Sequence, residues 1–163
     1  LCPFNAFMHL YERQDVEACL AEVRRLLAPG GLFALDVLNP DVAWLSRDPT
    51  RRWSATKFHH PVTGEHLVYS TNHIYDSVRQ VTLVRIFYDP VQDVHAPVPP
   101  KRGARVPIPR SRLVHLAQRQ FFPAELEALL HYNGFVIERR CGGFDGEALD
   151  HHSLEQVICA RVR

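Results

Sequence analysis

The sequence predicts an α/β fold in which a partial doubly wound sheet is interrupted by an antiparallel β insertion. Two passages from a helix into an apolar strand lie near the two ends of the chain, one reaching residues 32–38 and the other residues 135–138. Between them, residues 65–88 contain two runs rich in β-branched and aromatic side chains, which favour strands. A helix-and-strand rhythm on both sides of a β-rich middle is typical of a layered sheet with an inserted second sheet.

The first helix is predicted to begin after Asp15, whose side chain can cap a helix N-terminus, and to run to about Ala28. One face of this stretch is apolar, with Val16, Cys19, Leu20, Val23, Leu26 and Leu27 recurring at helical spacing. A Pro-Gly-Gly turn at residues 29–31 then ends the helix. Residues 32–38 form a nearly continuous apolar run, which indicates a strand covered on both faces.

The middle of the chain is predicted to be an insertion that spans residues 42–118 within a single domain of residues 1–163. Residues 65–75 and 79–88 favour an antiparallel hairpin, and a third strand is expected at about residues 113–121. Residues 90–109 contain six prolines and are predicted to form a loop. The insertion could cover a substrate or mediate dimerisation.

The last third returns to the α/β rhythm. Pro123 suits the first turn of a helix that ends at Gly134, and a strand then starts at Phe135. A glycine-rich loop at residues 142–146 reads as a turn, and residues 155–162 are predicted to form the final strand.

The bulk composition excludes several functional classes. The formal net charge is +1, so the whole chain has no general attraction to nucleic acid or anionic lipid. No apolar run reaches the roughly 18 residues of a spanning helix. The four cysteines show no C-x-x-C spacing, which favours a reducing compartment, and we therefore expect a cytoplasmic protein.

Four segments, taken in order, resemble the class I S-adenosylmethionine-dependent methyltransferases. They are residues 3–10 (PFNAFMHL), 27–33 (LAPGGLF), 120–126 (QFFPAEL) and 132–135 (YNGF). The resemblance implies S-adenosylmethionine as cofactor and methyl transfer to a small molecule. No G-x-G-x-x-G occurs in the sequence, so the chain corresponds to the C-terminal, substrate-side portion of such a domain. The alternative is a non-catalytic fragment or dimerisation module that does not bind the cofactor alone.

The resemblance also assigns roles to the residues near the start of the chain. It puts Leu1, Cys2 and Pro3 beside the methionine portion of the cofactor, and it points Asn5 and His9 toward the substrate. His9 is the candidate base, since a histidine can accept a proton from an attacking amine or hydroxyl. The alternative for His9 is a structural one, in which it caps the following helix or bonds the backbone.

Three further residues are candidate substrate contacts. Asn39 follows the apolar strand and could bond a substrate or form a turn with Pro40. His73 and Tyr75 share one face of the predicted hairpin and could belong to a lid, although polar-out alternation explains them equally well.

Other partners are not expected. The histidine pairs at residues 59–60 and 151–152 lack the spacing of a metal site, so no metal is predicted. The basic stretch before Ala124 reads as a solvated loop rather than a nucleic-acid surface. An incomplete sheet would leave an apolar strand at its edge, and exposed edges recruit partners, so we expect a homo-oligomer.

Overall fold

The computed structural model describes residues 1–91 and 111–163, which form two compact units. The first unit contains Leu1–Arg47, Tyr75–Thr82 and Ala117–Arg163, and the second contains Asp48–Ile74 and the described residues of Leu83–Leu116. Residues 92–109 of the predicted proline-rich loop lie outside the described residues.

The elements alternate between helix and strand at both ends of the chain, and the mixed α/β class with an antiparallel insertion is confirmed. In chain order they are a 3-10 helix at Ala6–His9, α1 (Arg13–Leu26), β1 (Leu32–Leu38), α2 (Val42–Leu45), β2 (Trp53–His59), β3 (His66–Asp76), β4 (Val81–Pro90), β5 (Arg112–Arg119), α3 (Pro123–Tyr132), β6 (Phe135–Cys141) and β7 (Glu155–Val162).

The first sheet has the strand order β1-β7-β6, and both of its strand pairs are antiparallel. Cys2 adds a single parallel bridge to Leu35 on the other side of β1. The predicted bounds of β1 and β7 match the structure: β1 is a short apolar run after the Pro-Gly-Gly turn, and β7 alternates between buried and partly exposed residues.

The predicted start of α1 is wrong by three residues and its predicted end by two. The helix begins at Arg13, after Glu12, and Asp15 lies in its first turn rather than at its cap. A carboxylate there is still favourable, because the helix N-terminus carries partial positive charge. The helix ends at Leu26, and Gly30 adopts a positive φ of 75° in the turn that follows.

The core of the first unit lies where α1, α3 and the 3-10 helix pack on this sheet. Phe7 contacts Phe121, with 5.1 Å between ring centroids, and Phe33 contacts Phe135 at 5.9 Å. Its members with 0% exposure come from the 3-10 helix, α1, β1, α3, β7 and the segment before α3: Phe7, Met8, Val16, Leu20, Val37, Phe121, Leu126, Leu130 and Ala160.

The second sheet has the order β2-β3-β4-β5. β3 and β4 are the two predicted hairpin strands, shifted by one or two residues, and β5 is the predicted third strand. β2 was not predicted from the sequence. Five of its seven residues are exposed, and a strand without an apolar face has no period-two signal.

In the part of the chain that the structure describes, no helix is long and apolar enough to cross a membrane. Within residues 1–91 and 111–163, no three His, Cys, Asp or Glu side chains come together as a group that could hold a metal ion.

Candidate active site

The candidate site is built from the loop that follows Cys2. The Cys2 amide donates to the Ala34 carbonyl at 2.8 Å, and the Asp36 amide donates to the Cys2 carbonyl at 3.4 Å. Cys2 therefore lies parallel to β1, and the chain leaves it toward the carboxyl end of that strand. In open α/β sheets, ligands bind beyond the carboxyl ends of the strands.

A buried carboxylate fixes the conformation of this loop. Asp36 is 6% exposed, and its two carboxylate oxygens accept hydrogen bonds from the Phe4 amide at 2.9 Å and the Asn5 amide at 3.1 Å. Phe4 and Asn5 both have positive φ, 57° and 58°, which non-glycine residues adopt only when the surroundings impose it. Asp36 supplies that constraint. It was not predicted as a site residue, although a charge inside an apolar run is a visible signal.

The three residues predicted to bind the cofactor have different exposures. Leu1 is 96% exposed and Pro3 is exposed, whereas Cys2 is half-buried in its bridge to β1. Burial raises the pKa of the Cys2 thiol above its ordinary value of 9.0, and Cys19 and Asp36 raise it further. Cys2 is therefore a neutral thiol near pH 7 and not a nucleophile.

Asn5 carries an acceptor that no described group satisfies. Its side-chain Oδ1 is buried and has no hydrogen-bond partner within the described residues, while its backbone amide is held by Asp36. A buried acceptor that forms no hydrogen bond costs free energy. The position therefore favours a ligand group or a water molecule that can donate a hydrogen bond to it. An unsatisfied acceptor is compatible with a ligand contact at Asn5, and that contact stays a prediction.

His9 lies at the end of the 3-10 helix with its ring exposed. Its Nδ1 is 3.3 Å from the Tyr11 hydroxyl, and that hydroxyl donates to the Ala117 carbonyl at 3.0 Å. If the hydroxyl proton is donated to Ala117, a neutral His9 donates from Nδ1, and Nε2, which makes no hydrogen bond within residues 1–91 and 111–163, is then an acceptor. This is the tautomer that a general base needs.

A polar network begins at the other side of Tyr11. Arg119 donates to the Tyr11 carbonyl at 3.3 Å and forms an ion pair of 2.6 Å with Glu125. In the orientation that satisfies its amide, Gln80 donates to the two Glu125 oxygens at 2.9 and 3.1 Å. Sequence analysis assigned no role to these three side chains, because no local spacing links them.

Tyr75 is close enough to Glu125 to be influenced by its charge. Burial raises the pKa of its phenol above the ordinary value of 10.0, and the negative charges of Glu125 and Asp76 raise it further. Its hydroxyl therefore stays a hydrogen-bond donor well into the alkaline range. His9 and Tyr75, predicted from separate stretches, belong to the same compact unit.

Asn39 connects two loops through hydrogen bonds. Its side-chain amide donates to the Ser153 carbonyl at 2.9 Å, and its backbone amide donates to the Leu154 carbonyl at 2.9 Å. These bonds tie the end of β1 to the segment that leads into β7. A substrate contact through the remaining side-chain oxygen stays a prediction.

His73 belongs to the second unit and is 3% exposed. Its neighbour Asn72 is also buried, and the Oδ1 of Asn72 has no hydrogen-bond partner among the described residues. The His73 side chain is therefore buried within its own unit, and its role in a lid stays a prediction.

Solved structures share this arrangement of elements. The methyltransferase CcbJ from Streptomyces caelestis matches 98% of this chain with a TM-score of 0.70 at 21% identity, and the chain covers 55% of it. A S-adenosylmethionine-dependent methyltransferase from Clostridium acetobutylicum matches 99% with a TM-score of 0.67 at 11% identity, with 56% of it covered. CalS10, an amino pentose methyltransferase from Micromonospora echinaspora, matches 98% with a TM-score of 0.58 at 16% identity, with 56% of it covered.

The chain has a class I methyltransferase fold. It spans slightly more than half the length of these methyltransferase structures. No protein-family model matches the sequence, and no curated protein matches it significantly. In this fold, the segment that follows Cys2 lies near the carboxyl end of β1, and it carries Asn5 and His9.

Proposed function

We propose that this chain forms the substrate-side half of an enzyme that transfers a methyl group from S-adenosylmethionine to a small molecule. One observation carries the proposal: Asp36 locks the Phe4–Asn5 turn at the carboxyl edge of a methyltransferase-type sheet. A loop fixed in this way offers a preorganised wall against which a cofactor and an acceptor can be aligned.

The residues of this wall fit one side of the cofactor. S-adenosylmethionine, when bound, supplies a methyl group on a positively charged sulfur. The Asn5 Oδ1 is a buried, unsatisfied acceptor that suits an ammonium or hydroxyl donor, and Cys2 offers a neutral, half-buried surface. We assign Leu1, Cys2 and Pro3 to the methionine end of the cofactor.

His9 is the proposed base. Its Nδ1 faces the Tyr11 hydroxyl, so its free Nε2 can accept a proton from an amine or hydroxyl that attacks the methyl carbon. We assign Asn5, Asn39 and Tyr75 to substrate contacts, with Tyr75 as a donor. His73 stays a predicted substrate contact, and we propose that the inserted residues 42–118 select the substrate or mediate dimerisation.

Titration calorimetry of S-adenosylmethionine and its demethylated product into the folded chain tests cofactor binding. Binding in the micromolar range would support the proposal, and Asn5→Ala should weaken it by about tenfold if one hydrogen bond is lost. The matched control is Asn133→Ala, which removes a side chain that bonds the Leu129 carbonyl on α3. Absence of binding by a folded sample would overturn the claim that this chain holds the cofactor itself.

The role of His9 is tested in an active preparation of the enzyme. His9→Gln should lower kcat by roughly 10²-fold or more with little change in KM, because a general base acts on the chemical step. His151→Gln serves as the control, since that ring is exposed in the loop before β7. Equal activity of His9→Gln and the wild type would assign His9 to structure alone.

A second candidate function is a non-catalytic association module. It rests on β1, whose side away from β7 makes only the Cys2–Leu35 bridge within the described residues and so offers free backbone groups to another strand. Light scattering at micromolar concentration tests it, with a homodimer expected. A monomer that binds S-adenosylmethionine would favour the enzyme.

A further inference from the structure

Tyr11 is held at two points by the end of β5. Its hydroxyl donates to the Ala117 carbonyl at 3.0 Å, and the Arg119 Nη1 donates to the Tyr11 carbonyl at 3.3 Å. Ala117 and Arg119 are 106 and 108 residues away in the sequence and belong to the same compact unit as Tyr11. One strand therefore fixes both the ring and the main chain of Tyr11.

The segment that carries His9 is also anchored on its other side. Phe7 is fully buried and contacts the Phe121 ring, with 5.1 Å between centroids. The Arg119 guanidinium lies over the same Phe121 ring, 4.8 Å from its centroid. Because His9 lies between Phe7 and Tyr11 in the sequence, the main chain is held on both sides of it.

The His9 ring meets the Tyr11 ring edge-on, with centroids 6.4 Å apart and an interplanar angle of 87°. The His9 Nδ1 is 3.3 Å from the Tyr11 hydroxyl. That hydroxyl has one proton, and the Ala117 carbonyl can only accept, so the shorter contact of 3.0 Å takes the proton. The hydroxyl oxygen then offers a lone pair to Nδ1, which favours a neutral ring with its proton on Nδ1.

We propose that Tyr11 is a positioning residue that holds His9 in the tautomer with its proton on Nδ1. The inference rests on the proposed function, in which the His9 Nε2 accepts the proton of an attacking amine or hydroxyl. In water, a neutral histidine ring carries its proton mainly on Nε2, and that form would present a donor to the substrate instead of a lone pair. After the transfer both ring nitrogens carry protons, and Nδ1–H keeps its bond to the Tyr11 oxygen. Tyr11 itself stays protonated throughout.

The NMR chemical shifts of the two His9 ring nitrogens test the proposal in the whole chain, without substrate. These shifts distinguish a protonated from an unprotonated nitrogen, and His9→Gln identifies the signals by removing them. At about pH 9, where an ordinary histidine is neutral, the wild type should show Nδ1–H and an unprotonated Nε2. Tyr11→Phe should shift the ratio of the two tautomers toward Nε2–H by roughly two- to tenfold, the effect of one hydrogen bond.

Tyr132→Phe is the matched control. Tyr132 also meets a histidine edge-on, with its ring centroid 5.0 Å from that of His131, but its hydroxyl forms no hydrogen bond within residues 1–91 and 111–163. This substitution should leave the His9 tautomer ratio unchanged. An equal shift in Tyr11→Phe and Tyr132→Phe would contradict the proposal.

An active preparation of the enzyme supplies a second readout. Tyr11→Phe should lower kcat by roughly two- to tenfold with little change in KM. Adding Tyr11→Phe to His9→Gln should cause no further loss, because Tyr11 acts through His9. A further loss in the double variant would assign Tyr11 a role that does not pass through the His9 ring.

Two tautomer results would overturn the proposal. They are an Nε2–H tautomer in the wild type, which requires no variant to fold, and a ratio in Tyr11→Phe equal to that of the wild type. The measurement also separates this proposal from the proposed function. An inactive enzyme with the Nδ1–H tautomer would contradict only methyl transfer, whereas an active enzyme with the Nε2–H tautomer would contradict only the role of Tyr11.

Discussion

Arg119 and Glu125 form an ion pair of 2.6 Å between the end of β5 and the first turn of α3, with side chains 11% and 25% exposed. The guanidinium also lies over the Phe121 ring, 4.8 Å from its centroid. The pair therefore joins a strand end, a helix start and an aromatic core residue.

Removing one member of this pair should destabilise the protein strongly. Glu125→Ala leaves the Arg119 charge largely buried without a partner, and we expect a loss of about 2–4 kcal/mol in the free energy of unfolding. Urea denaturation measures it. Glu17→Ala on α1 is the control, because its pair with Arg13 is exposed, and it should cost less than about 0.5 kcal/mol. Equal effects of the two substitutions would contradict the burial argument.

Asp36→Asn should loosen the loop that carries the candidate site. An amide can accept through one oxygen only, so one of the Phe4 and Asn5 amides would face an NH₂ group. We expect a loss of about 1–3 kcal/mol and faster hydrogen exchange at Phe4 and Asn5. Asp145→Asn, in an exposed loop, should leave both amides unchanged. Unchanged exchange in Asp36→Asn would remove its assigned role.

Tyr75 should make stability fall in alkaline solution. Burial and the Glu125 and Asp76 carboxylates raise its pKa in the folded state above the ordinary value of 10.0, so the unfolded chain loses this proton first. The contribution is fully present below about pH 10 and is lost as pH rises through the folded-state pKa. Unfolding free energies of wild type and Tyr75→Phe, measured from pH 8 to 11, should show a shallower decline for the variant.

The corresponding control uses Tyr132, whose side chain is 85% exposed. Tyr132→Phe should decline with pH in parallel with the wild type. A parallel decline for Tyr75→Phe as well would show that the burial of Tyr75 does not affect stability at alkaline pH.

Alanine substitutions at two glycines with positive φ can distinguish the cost of backbone strain from the cost of a side-chain contact. Gly64 has a φ of 70° and open space at its Cβ position, whereas Gly134 has a φ of 86° and the Arg24 guanidinium at 2.8 Å. Either alanine should cost about 1–2 kcal/mol through the left-handed backbone. The two costs should be similar, because a guanidinium at the end of a flexible side chain can move. Thermal unfolding tests this.

A much larger stability loss in Gly134→Ala than in Gly64→Ala would show that the Arg24 side chain cannot move.

The sequence predicted the buried elements well and the polar contacts poorly. β1 follows from an apolar run after a turn, β7 from a period-two alternation, and α3 from Pro123 and Gly134. β2 gave no signal because it is exposed on both faces. Strand existence is therefore predictable where burial imposes a pattern.

The candidate site shows a similar division. His9 and Asn5 were predicted from a resemblance in one continuous segment, and their roles stay predictions. The Arg119–Glu125 pair could not, since the residues are six apart across a strand end and a helix start, a spacing with no fixed geometry. Gln80 reaches Glu125 from a turn 45 residues away, and only the tertiary fold brings them together.

The left-handed turn at Phe4 and Asn5 also bears on how quickly a ligand can dock. Fixing the backbone of one residue costs about 1–2 kcal/mol of entropy, and here the Asp36 carboxylate has already fixed two. A molecule arriving at this loop meets an ordered surface, so little rearrangement has to follow the encounter. We therefore expect the association rate of such a ligand to be limited by diffusion and desolvation, with little contribution from motion of the loop.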